Sequence, residues 1–308
     1  MMIFRMPVLI TGIQGFMGHH LSHFLEANGL KVYGVQRHLQ GATDAKNTYE
    51  CDVTDPSALK KALGAISPSV IFHMAAQSLP SVSWRDPLST LRVNVIGTLN
   101  LLTAVRDLGL RTRVVLFGSS SEYASSLEPV SEEHKLKPSS PYALSKIGAT
   151  LLSGLYYDAY KIDVVTVRPF FIIGPRKTGD VCSSFAKGIV DVERGSAQSL
   201  KVGNLQSIRD FLDIDDAVRA FWLVSKSGKA GEVYNISSGK GVRISKVLEI
   251  MMSKSRCQVE FEQSQRNRPL DNPVAIGKND KLQQLGWAQT IELDESLSKI
   301  LEYWRGIK

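Results

Sequence analysis

The sequence predicts an α/β protein, with a large doubly wound parallel sheet and a smaller α/β C-terminal domain for the substrate. Short apolar, β-branched runs alternate with segments of helical periodicity over the first two thirds of the chain, a pattern typical of strands buried on both faces. The first such run, Val8–Thr11, leads directly into a three-glycine motif at residues 12–18. The 308 residues, 43% of them hydrophobic, are enough for one large and one small domain.

The order of the elements sets the predicted domain boundaries. Strands are predicted at 8–11, 31–35, just before Asp52, 70–76, 114–117, 164–167, 200–203 and 233–236, and helices at 19–27, 91–106, around Tyr142, 215–224, 244–252, 281–286 and 293–303. After about residue 170 the composition becomes irregular, with scattered Gly and Lys. We therefore expect residues 1–170, joined by 209–238, to form the large domain and 171–208 with 239–308 to form the small one.

Composition and charge narrow the class of ligand. The 37 Lys and Arg residues exceed the 30 Asp and Glu residues, for a net charge of +7, but no dense basic run or nucleic-acid motif accompanies them. This balance favours a phosphorylated small molecule over nucleic acid. The cysteines Cys51, Cys182 and Cys257 are far apart, which predicts neither a zinc site nor a disulfide framework. No apolar run approaches the ~20 residues of a membrane span and no secretion signal precedes the first strand, so we expect a cytoplasmic protein.

The glycine motif has the context of a dinucleotide-binding loop, because it follows a strand and opens a helix. Gly12 allows the tight turn, Gly15 lets the backbone approach a pyrophosphate, and Gly18 lets the helix pack on the strand, as in Rossmann-type sheets. The residues expected to contact the cofactor here are Gly12, Gln14, Gly15, Phe16, Met17 and Gly18. His19 and His23 have the spacing of metal ligands on the following helix, but without a third ligand we interpret them as ordinary surface histidines and expect no metal.

The end of the second strand indicates which dinucleotide is bound. NAD-binding folds present a carboxylate here for the ribose hydroxyls, whereas this chain presents Gln36 and Arg37. A guanidinium pairs well with a 2′-phosphate, so Arg37 favours NADP(H) over NAD, although a solvated loop arginine would look the same.

Residues after the next two strands complete the expected cofactor site. Asp52 and Val53 are expected to flank the adenine, with a simple acidic turn as the alternative interpretation. Ala75 and Ala76 are small enough for a cofactor to approach closely. His73, just before them, is interpreted as a core histidine with its hydrogen bonds satisfied.

Tyr142 and Lys146 are the candidate catalytic pair, because side chains four residues apart lie on one face of a helix. A nearby ammonium lowers the pKa of a phenol, which then exchanges a proton with a carbonyl or carbinol while a nicotinamide exchanges a hydride. Ser119 follows the strand at 114–117, where open α/β sheets bind ligands. Taken alone, the Tyr/Lys spacing favours an ordinary amphipathic helix, and only the rest of the chain favours the catalytic interpretation.

In this order, the glycine loop, the hydroxyl at a strand end and the Tyr-x-x-x-Lys pair resemble the extended short-chain dehydrogenase/reductase family over essentially the whole chain. Within that family, the chain resembles the nucleotide-sugar enzymes in Arg168-Pro169-Phe170, Gly174-Pro175, residues 94–98 and Arg209-Asp210-Phe211. Residues 201–205 through Arg209-Asp210-Phe211 and the Arg268-Pro269 loop resemble the GDP-mannose 4,6-dehydratase and GDP-4-keto-6-deoxymannose reductase branch more closely. The resemblance implies a Rossmann domain that binds NADP(H), a C-terminal domain that binds a sugar nucleotide, and a homodimer formed through helices at 91–106 and 143–160.

The same resemblance implies roles for individual residues. Tyr142 would donate or accept the proton, Lys146 would lower its pKa and bind the nicotinamide ribose, and Ser119 would hydrogen-bond the sugar O4. The residues that would contact the substrate elsewhere are Ser120 and Ser121 beside the sugar, Val202 in the guanosine pocket, and Arg209 and Arg268 at the diphosphate.

Two departures from the family pattern matter. Dehydratases carry a carboxylate at the position of Ser121 to abstract the C5 proton; the nearest carboxylate here, Glu122, would face the opposite way in an extended chain. Phe171 also replaces the Asn that contacts the substrate diphosphate in many relatives. We therefore expect reduction of a 4-keto sugar, GDP-4-keto-6-deoxy-D-mannose to GDP-D-rhamnose, with a 4,6-dehydratase, a C4 epimerase or a non-enzymatic NADP(H) sensor as alternatives.

Overall fold

The computed structural model describes residues 7–38, 47–263 and 272–307, and the fold is given for these residues. The strands are β1 (Val8–Thr11), β2 (Val32–Gln36), β3 (Thr48–Glu50), β4 (Val70–His73), β5 (Arg113–Phe117), β6 (Val164–Pro169), β7 (Phe171–Ile173), β8 (Leu200–Val202), β9 (Ile208–Arg209), β10 (Phe211–Asp213), β11 (Val233–Ile236), β12 (Val242–Arg243), β13 (Phe261–Gln263) and β14 (Val274–Ala275). The helices are α1 (Phe16–Ala27), α2 (Pro56–Ile66), α3 (Pro80–Arg85), α4 (Pro87–Leu91), α5 (Gly97–Asp107), α6 (Pro141–Tyr160), α7 (Val181–Glu193), α8 (Ile214–Ser227), α9 (Ile244–Ser253), α10 (Asp280–Gln284) and α11 (Leu293–Gly306).

Seven strands form one parallel sheet in the order β11-β6-β5-β4-β1-β2-β3. Alternate side chains along each strand enter two separate cores. Ile10 and Phe72 pack towards α1 and α8 on one face, whereas Leu9 and Ile71 pack towards α2, α5 and α6 on the other. Each such buried side chain contributes about 1.5–3 kcal/mol. The predicted doubly wound Rossmann-type sheet is confirmed.

The carboxyl ends of the parallel strands all lie at one edge of this sheet. The glycine loop follows β1, Arg37 follows β2, Asp52 follows β3, Ala75 follows β4 and Ser119 follows β5. Strand order reverses between β1 and β4, which is where such sheets open a crevice for ligands. The topology therefore brings most of the predicted site residues to one place.

The helix predicted at 91–106 is part of a longer one. α4 continues through a π-helical turn, Arg92–Ile96, into α5, so the helix runs from Pro87 to Asp107. By length and composition this stretch could cross a membrane, so the expectation that no such stretch exists was wrong. Core helices of globular proteins pass the same test, and α5 packs against α2 and α6.

The smaller region is built on short strands and three helices. β8 pairs with β13, β9 pairs with β12 and β14, and α7, α9 and α11 enclose a third apolar core. The irregular structure expected after residue 170 was wrong for α7, where Cys182, Phe185, Ala186, Ile189 and Val190 bury one face at helical spacing. The chain returns to the large sheet through α8 and β11. The division into domains at the expected residue numbers stays a prediction.

Candidate active site

The glycine loop leaves room for a phosphate group because side chains are excluded from it. Gly12 has φ +72°, a conformation that favours glycine, and a Cβ there would lie 3.0 Å from the Ala75 backbone. A Cβ at Gly15 would lie 3.1 Å from the Gly12 carbonyl oxygen, and one at Gly18 only 2.5 Å from it. α1 begins without a side-chain cap, so its first N–H groups remain available to an anion. This loop fits the pyrophosphate of a dinucleotide.

The other predicted residues of the loop lie at its rim. Phe16 and Met17 are partly buried against the sheet core, and Gln14 is half-buried. The Lys177 ammonium lies 5.5 Å from the centre of the Phe16 ring, so a segment that follows β7 approaches the start of α1. Cofactor contacts of Gln14, Phe16 and Met17 stay predictions.

The residues after β2, β3 and β4 lie along the same edge. Arg37 is exposed, as a partner for a phosphate should be. The Asp52 carboxylate accepts a hydrogen bond from the Thr54 N–H at 2.8 Å, whereas Val53 is buried. Asp52 therefore stabilises the turn after β3 with its side chain, and its contact with the adenine stays a prediction.

Ala75 and Ala76 are partly exposed beside the glycine loop. The Ala75 N–H donates to the Thr11 hydroxyl at 3.1 Å, and that hydroxyl also contacts His73 Nδ1 at 2.9 Å. His73 Nε2 is buried with no hydrogen-bond partner among the described residues, so the expectation of a fully satisfied core histidine was wrong for this nitrogen. Burial, helped by the Lys146 charge, lowers the pKa of His73 to about 3, so the imidazole is neutral.

Ser119, Tyr142 and Lys146 converge where β5 meets α6. Their exposed fractions are 8%, 9% and 7%, so all three are largely shielded from water. α6 is started by Ser140, whose hydroxyl accepts from the Ala143 N–H, and by Pro141 at its first position. Tyr142 therefore lies in the first turn of α6, and Lys146 lies one turn further along the helix.

The expected lowering of the Tyr142 pKa was wrong for this structure. Burial raises the pKa of Tyr142 to about 12, and a hydrogen bond with the Ser119 side chain opposes this only in part. The Lys146 Nζ lies 6.0 Å from the centre of the Tyr142 ring and donates to the Phe117 carbonyl oxygen at 2.7 Å. The phenol is thus protonated at neutral pH, which is the form that a proton donor needs.

Lys146 is also perturbed by its surroundings. Burial lowers its pKa to about 8, and the Glu122 charge acts in the opposite direction. At neutral pH the amine is therefore largely cationic, and its pKa lies close to physiological pH.

Glu122 is fully buried and fully occupied by hydrogen bonds. Residues 120–122 form a 3₁₀ turn, so the alternation expected of an extended chain does not apply here. Its Oε1 accepts from the Ser119 N–H at 2.8 Å, and its Oε2 accepts from Arg168 Nε at 3.0 Å and the Thr150 hydroxyl at 3.1 Å. The carboxylate therefore joins the end of β5 to β6 and α6.

Asn94 holds the loop after β4 against α6. Its Oδ1 accepts from the Gln77 N–H at 2.8 Å, while its Nδ2 donates to the Gln77 carbonyl oxygen at 3.0 Å and to the Ser145 hydroxyl at 2.8 Å. Asn94 belongs to the π-helical turn, and such turns are often found at functional sites.

The residues predicted to bind the substrate differ in how far they are exposed. Ser120 and Ser121 are half-buried, and Ser120 lines a small cleft with Glu128, Phe170 and Asn272. Val202 was expected in the base pocket, but its side chain is only 3% exposed because it packs into the third core. A contact of its side chain with a base is therefore not supported.

The two arginines expected at the diphosphate differ. Arg209 is buried on β9, where it donates to the Ile208 carbonyl oxygen at 2.9 Å and lies 5.2 Å from the centre of the Phe171 ring. Phe171 thus stacks near a guanidinium where many relatives carry an amide. Arg268 lies outside the described residues.

The ion pair of Glu122 and Arg168 was not anticipated as part of the site. A signal was present, because Arg168 directly follows the apolar run at 164–167, and an arginine buried with that strand requires an acceptor. Glu122, after the neighbouring strand β5, was the available carboxylate. The contacts of Thr11 and Asn94 depend on pairing between distant segments, for which we find no local signal.

Comparisons with known proteins extend over the whole architecture. A family model described as GDP-mannose 4,6 dehydratase matches residues 9–300. The GDP-6-deoxy-D-mannose reductase of Pseudomonas aeruginosa is 31% identical over 304 residues, 96% of each chain. The structure of RMD from Pseudomonas aeruginosa complexed with NADPH is 30% identical with a TM-score of 0.86, over 97% of this chain and 99% of that one. UDP-glucose 4-epimerase of Thermus thermophilus, complexed with NAD, is 25% identical with a TM-score of 0.89, over 98% and 100%.

Proposed function

The chain belongs to the GDP-mannose 4,6-dehydratase family of extended short-chain dehydrogenase/reductases, and on that premise we propose that it is an NADPH-dependent reductase of a nucleotide-linked 4-keto-6-deoxy sugar. The proposed substrate is GDP-4-keto-6-deoxy-D-mannose and the proposed product is GDP-D-rhamnose. One observation favours reduction over dehydration. Ser119, Tyr142 and Lys146 meet at the crevice, whereas the Glu122 carboxylate beside them is buried in an ion pair.

The side chains can perform the proton half of a reduction. NADPH, bound at the glycine loop with Arg37 at its 2′-phosphate, would supply the hydride. Tyr142 would donate its phenolic proton to the C4 oxygen as that oxygen gains negative charge, and Ser119 would hydrogen-bond the same oxygen. The Lys146 cation would stabilise the phenolate that remains. Burial of all three side chains keeps water from competing for these contacts.

The experiment that tests this function is NADPH oxidation against a panel of GDP-, dTDP- and UDP-linked 4-keto-6-deoxy sugars. We expect turnover with the GDP-linked sugar above the other two, and GDP-D-rhamnose as the product identified by NMR. Turnover with another base would keep the reaction and change the substrate. Turnover with none of the panel would overturn the proposed function.

Replacing Arg37 by Asp should collapse or invert the preference for NADPH over NADH. The substitution removes a cation that pairs with the 2′-phosphate and introduces an acceptor for the ribose hydroxyls. The measurement is kcat/KM for both cofactors with the same sugar. The matched control is Arg111→Asp, at an exposed arginine before β5, which should keep the wild-type preference. A wild-type enzyme that already prefers NADH would contradict the role of Arg37.

We also propose that the protein is a homodimer that pairs through α6. Leu144, Leu151 and Leu155 form an exposed apolar stripe on this helix, at 49%, 64% and 58% exposure, and Ile96 on the neighbouring π-helical turn is 43% exposed. A contiguous apolar patch of this kind marks an interaction surface. A second copy of the same stripe would bury it in a two-fold contact.

Replacing Leu151 by Glu should convert the dimer to a monomer, since it places a charge in the middle of the stripe. Sedimentation velocity measures the change. Leu127→Glu is the matched control, because Leu127 is 74% exposed and belongs neither to α6 nor to the π-helical turn. A wild-type monomer, or an unchanged dimer in the Leu151 variant, would contradict this interface.

A further inference from the structure

Two charged side chains next to the candidate catalytic residues are buried away from solvent. Glu122 is 0% exposed and Arg168 is 3% exposed. Burying such a pair costs desolvation energy that an apolar pair would not incur, so stability alone is a weak reason for its presence. Its contacts lead to the proton-donating residues instead.

The first connection runs to Ser119. The Glu122 Oε1 accepts the Ser119 N–H at 2.8 Å, while the Ser119 hydroxyl accepts the Ser121 N–H at 3.1 Å, so the two side chains cap the 3₁₀ turn reciprocally. This arrangement fixes the backbone from which the Ser119 hydroxyl reaches Tyr142. The Arg168 side of the pair is held in turn, because its Nη1 donates to the Tyr123 hydroxyl at 3.0 Å.

The second connection runs to Lys146. The titratable groups that face this amine are Glu122, His73 and Tyr142. His73 and Tyr142 are both neutral at neutral pH, since their pKa values are about 3 and about 12. Among the described residues, Glu122 is therefore the charge that opposes deprotonation of Lys146.

We propose that Glu122, held by Arg168, is a positioning residue for the reduction, fixing the Ser119 backbone and providing the negative charge that keeps the Lys146 amine cationic. This inference rests on the proposed function for its catalytic consequence. Its physical content, the charge state of Lys146 in the enzyme, does not depend on which sugar is reduced. NADPH binding measured without any sugar can therefore test it separately.

The test compares the pH dependence of NADPH binding and of kcat/KM in variants of the pair. In the wild type, both should fall as pH rises through about 8, where Lys146 loses its proton. Glu122→Gln removes the charge but leaves Arg168 buried and unpaired, so this variant can fail to fold. The double variant Glu122→Gln/Arg168→Gln keeps a hydrogen-bonding group at each position and leaves no unpaired charge. We expect its midpoint to lie lower by about one pH unit, the smaller end of the effect of a nearby opposite charge.

Thr150→Val is the matched control, because it removes one hydrogen bond to the Glu122 Oε2 without changing any charge. It should leave the midpoint in place, even if thermal unfolding shows a lower Tm. A folded double variant with the wild-type midpoint would overturn the proposal, and so would failure of both pair variants to fold, which would make the pair a folding element alone. If no keto sugar is reduced by the wild type, the proposed function fails, while the binding profiles still decide the role of Glu122.

Discussion

Tyr142→Phe should lower kcat by roughly 10²–10⁴-fold, the range for losing a positioned acid or base. The substitution keeps the ring that is buried at the start of α6 and removes only the hydroxyl. Because burial raises the pKa of this phenol to about 12, the wild-type side chain holds its proton at neutral pH and releases it only to a strong base, such as a developing alkoxide. The measurement is single-turnover reduction of the keto sugar at saturating NADPH.

Two further measurements test whether the loss of activity comes from the proton-donating role of Tyr142. NADPH affinity should change little, since the phenol contributes its proton to the reacting oxygen. Tyr303→Phe is the control for loss of a tyrosine hydroxyl, because Tyr303 lies on α11, a helix whose buried side chains belong to the core of the smaller region. Retention of most activity in the Tyr142 variant would mean that another group moves the proton.

The fold could be predicted from the sequence because its signals are local. Apolar runs such as Val8–Thr11 and Val233–Ile236 match the observed strands residue for residue, since parallel strands covered on both faces need continuous apolar sequence. The helix α7 was missed although Phe185 and Ile189 carry its periodicity, because scattered Gly and Lys residues obscured the pattern. The π-helical turn around Asn94 could not be predicted, because it depends on packing between distant segments.

The sequence predicted which side chains come together at the candidate site, but it did not predict their electrostatics. Spacing alone placed Tyr142 and Lys146 on one face, and parallel topology placed Ser119 beside them. The predicted direction of the Tyr142 pKa shift was wrong because the prediction considered the nearby ammonium and left out burial. A sequence does not reveal how deeply a side chain is buried. The buried ion pair of Glu122 was likewise not foreseen, because its partner Arg168 is 46 residues away in the chain.

The burial of Glu122 in an ion pair supports a second prediction, the absence of dehydratase activity. GDP-mannose incubated with the enzyme and NADP⁺ should give no detectable 4-keto product, whereas the same preparation should reduce supplied 4-keto-6-deoxy sugar with NADPH. Dehydration requires a base for the weakly acidic C5 proton, and the side chains at the family's base position here are serine hydroxyls, which are far too weak. The measurement is detection of the keto sugar by mass spectrometry, with NADPH oxidation as the internal control for active enzyme.

Glu122 could supply that base only by leaving its present partners. Both of its oxygens are taken, by the Ser119 N–H on one side and by Arg168 and Thr150 on the other. Withdrawing it would leave Arg168 buried without a counter-charge, a loss that typically costs about 3–5 kcal/mol. Such a cost would have to be met in every turnover before any proton moved. Accumulation of keto sugar from GDP-mannose would therefore contradict both the proposed reaction and the structural role of Glu122, and would make Glu122→Gln the next variant to assay for loss of dehydration.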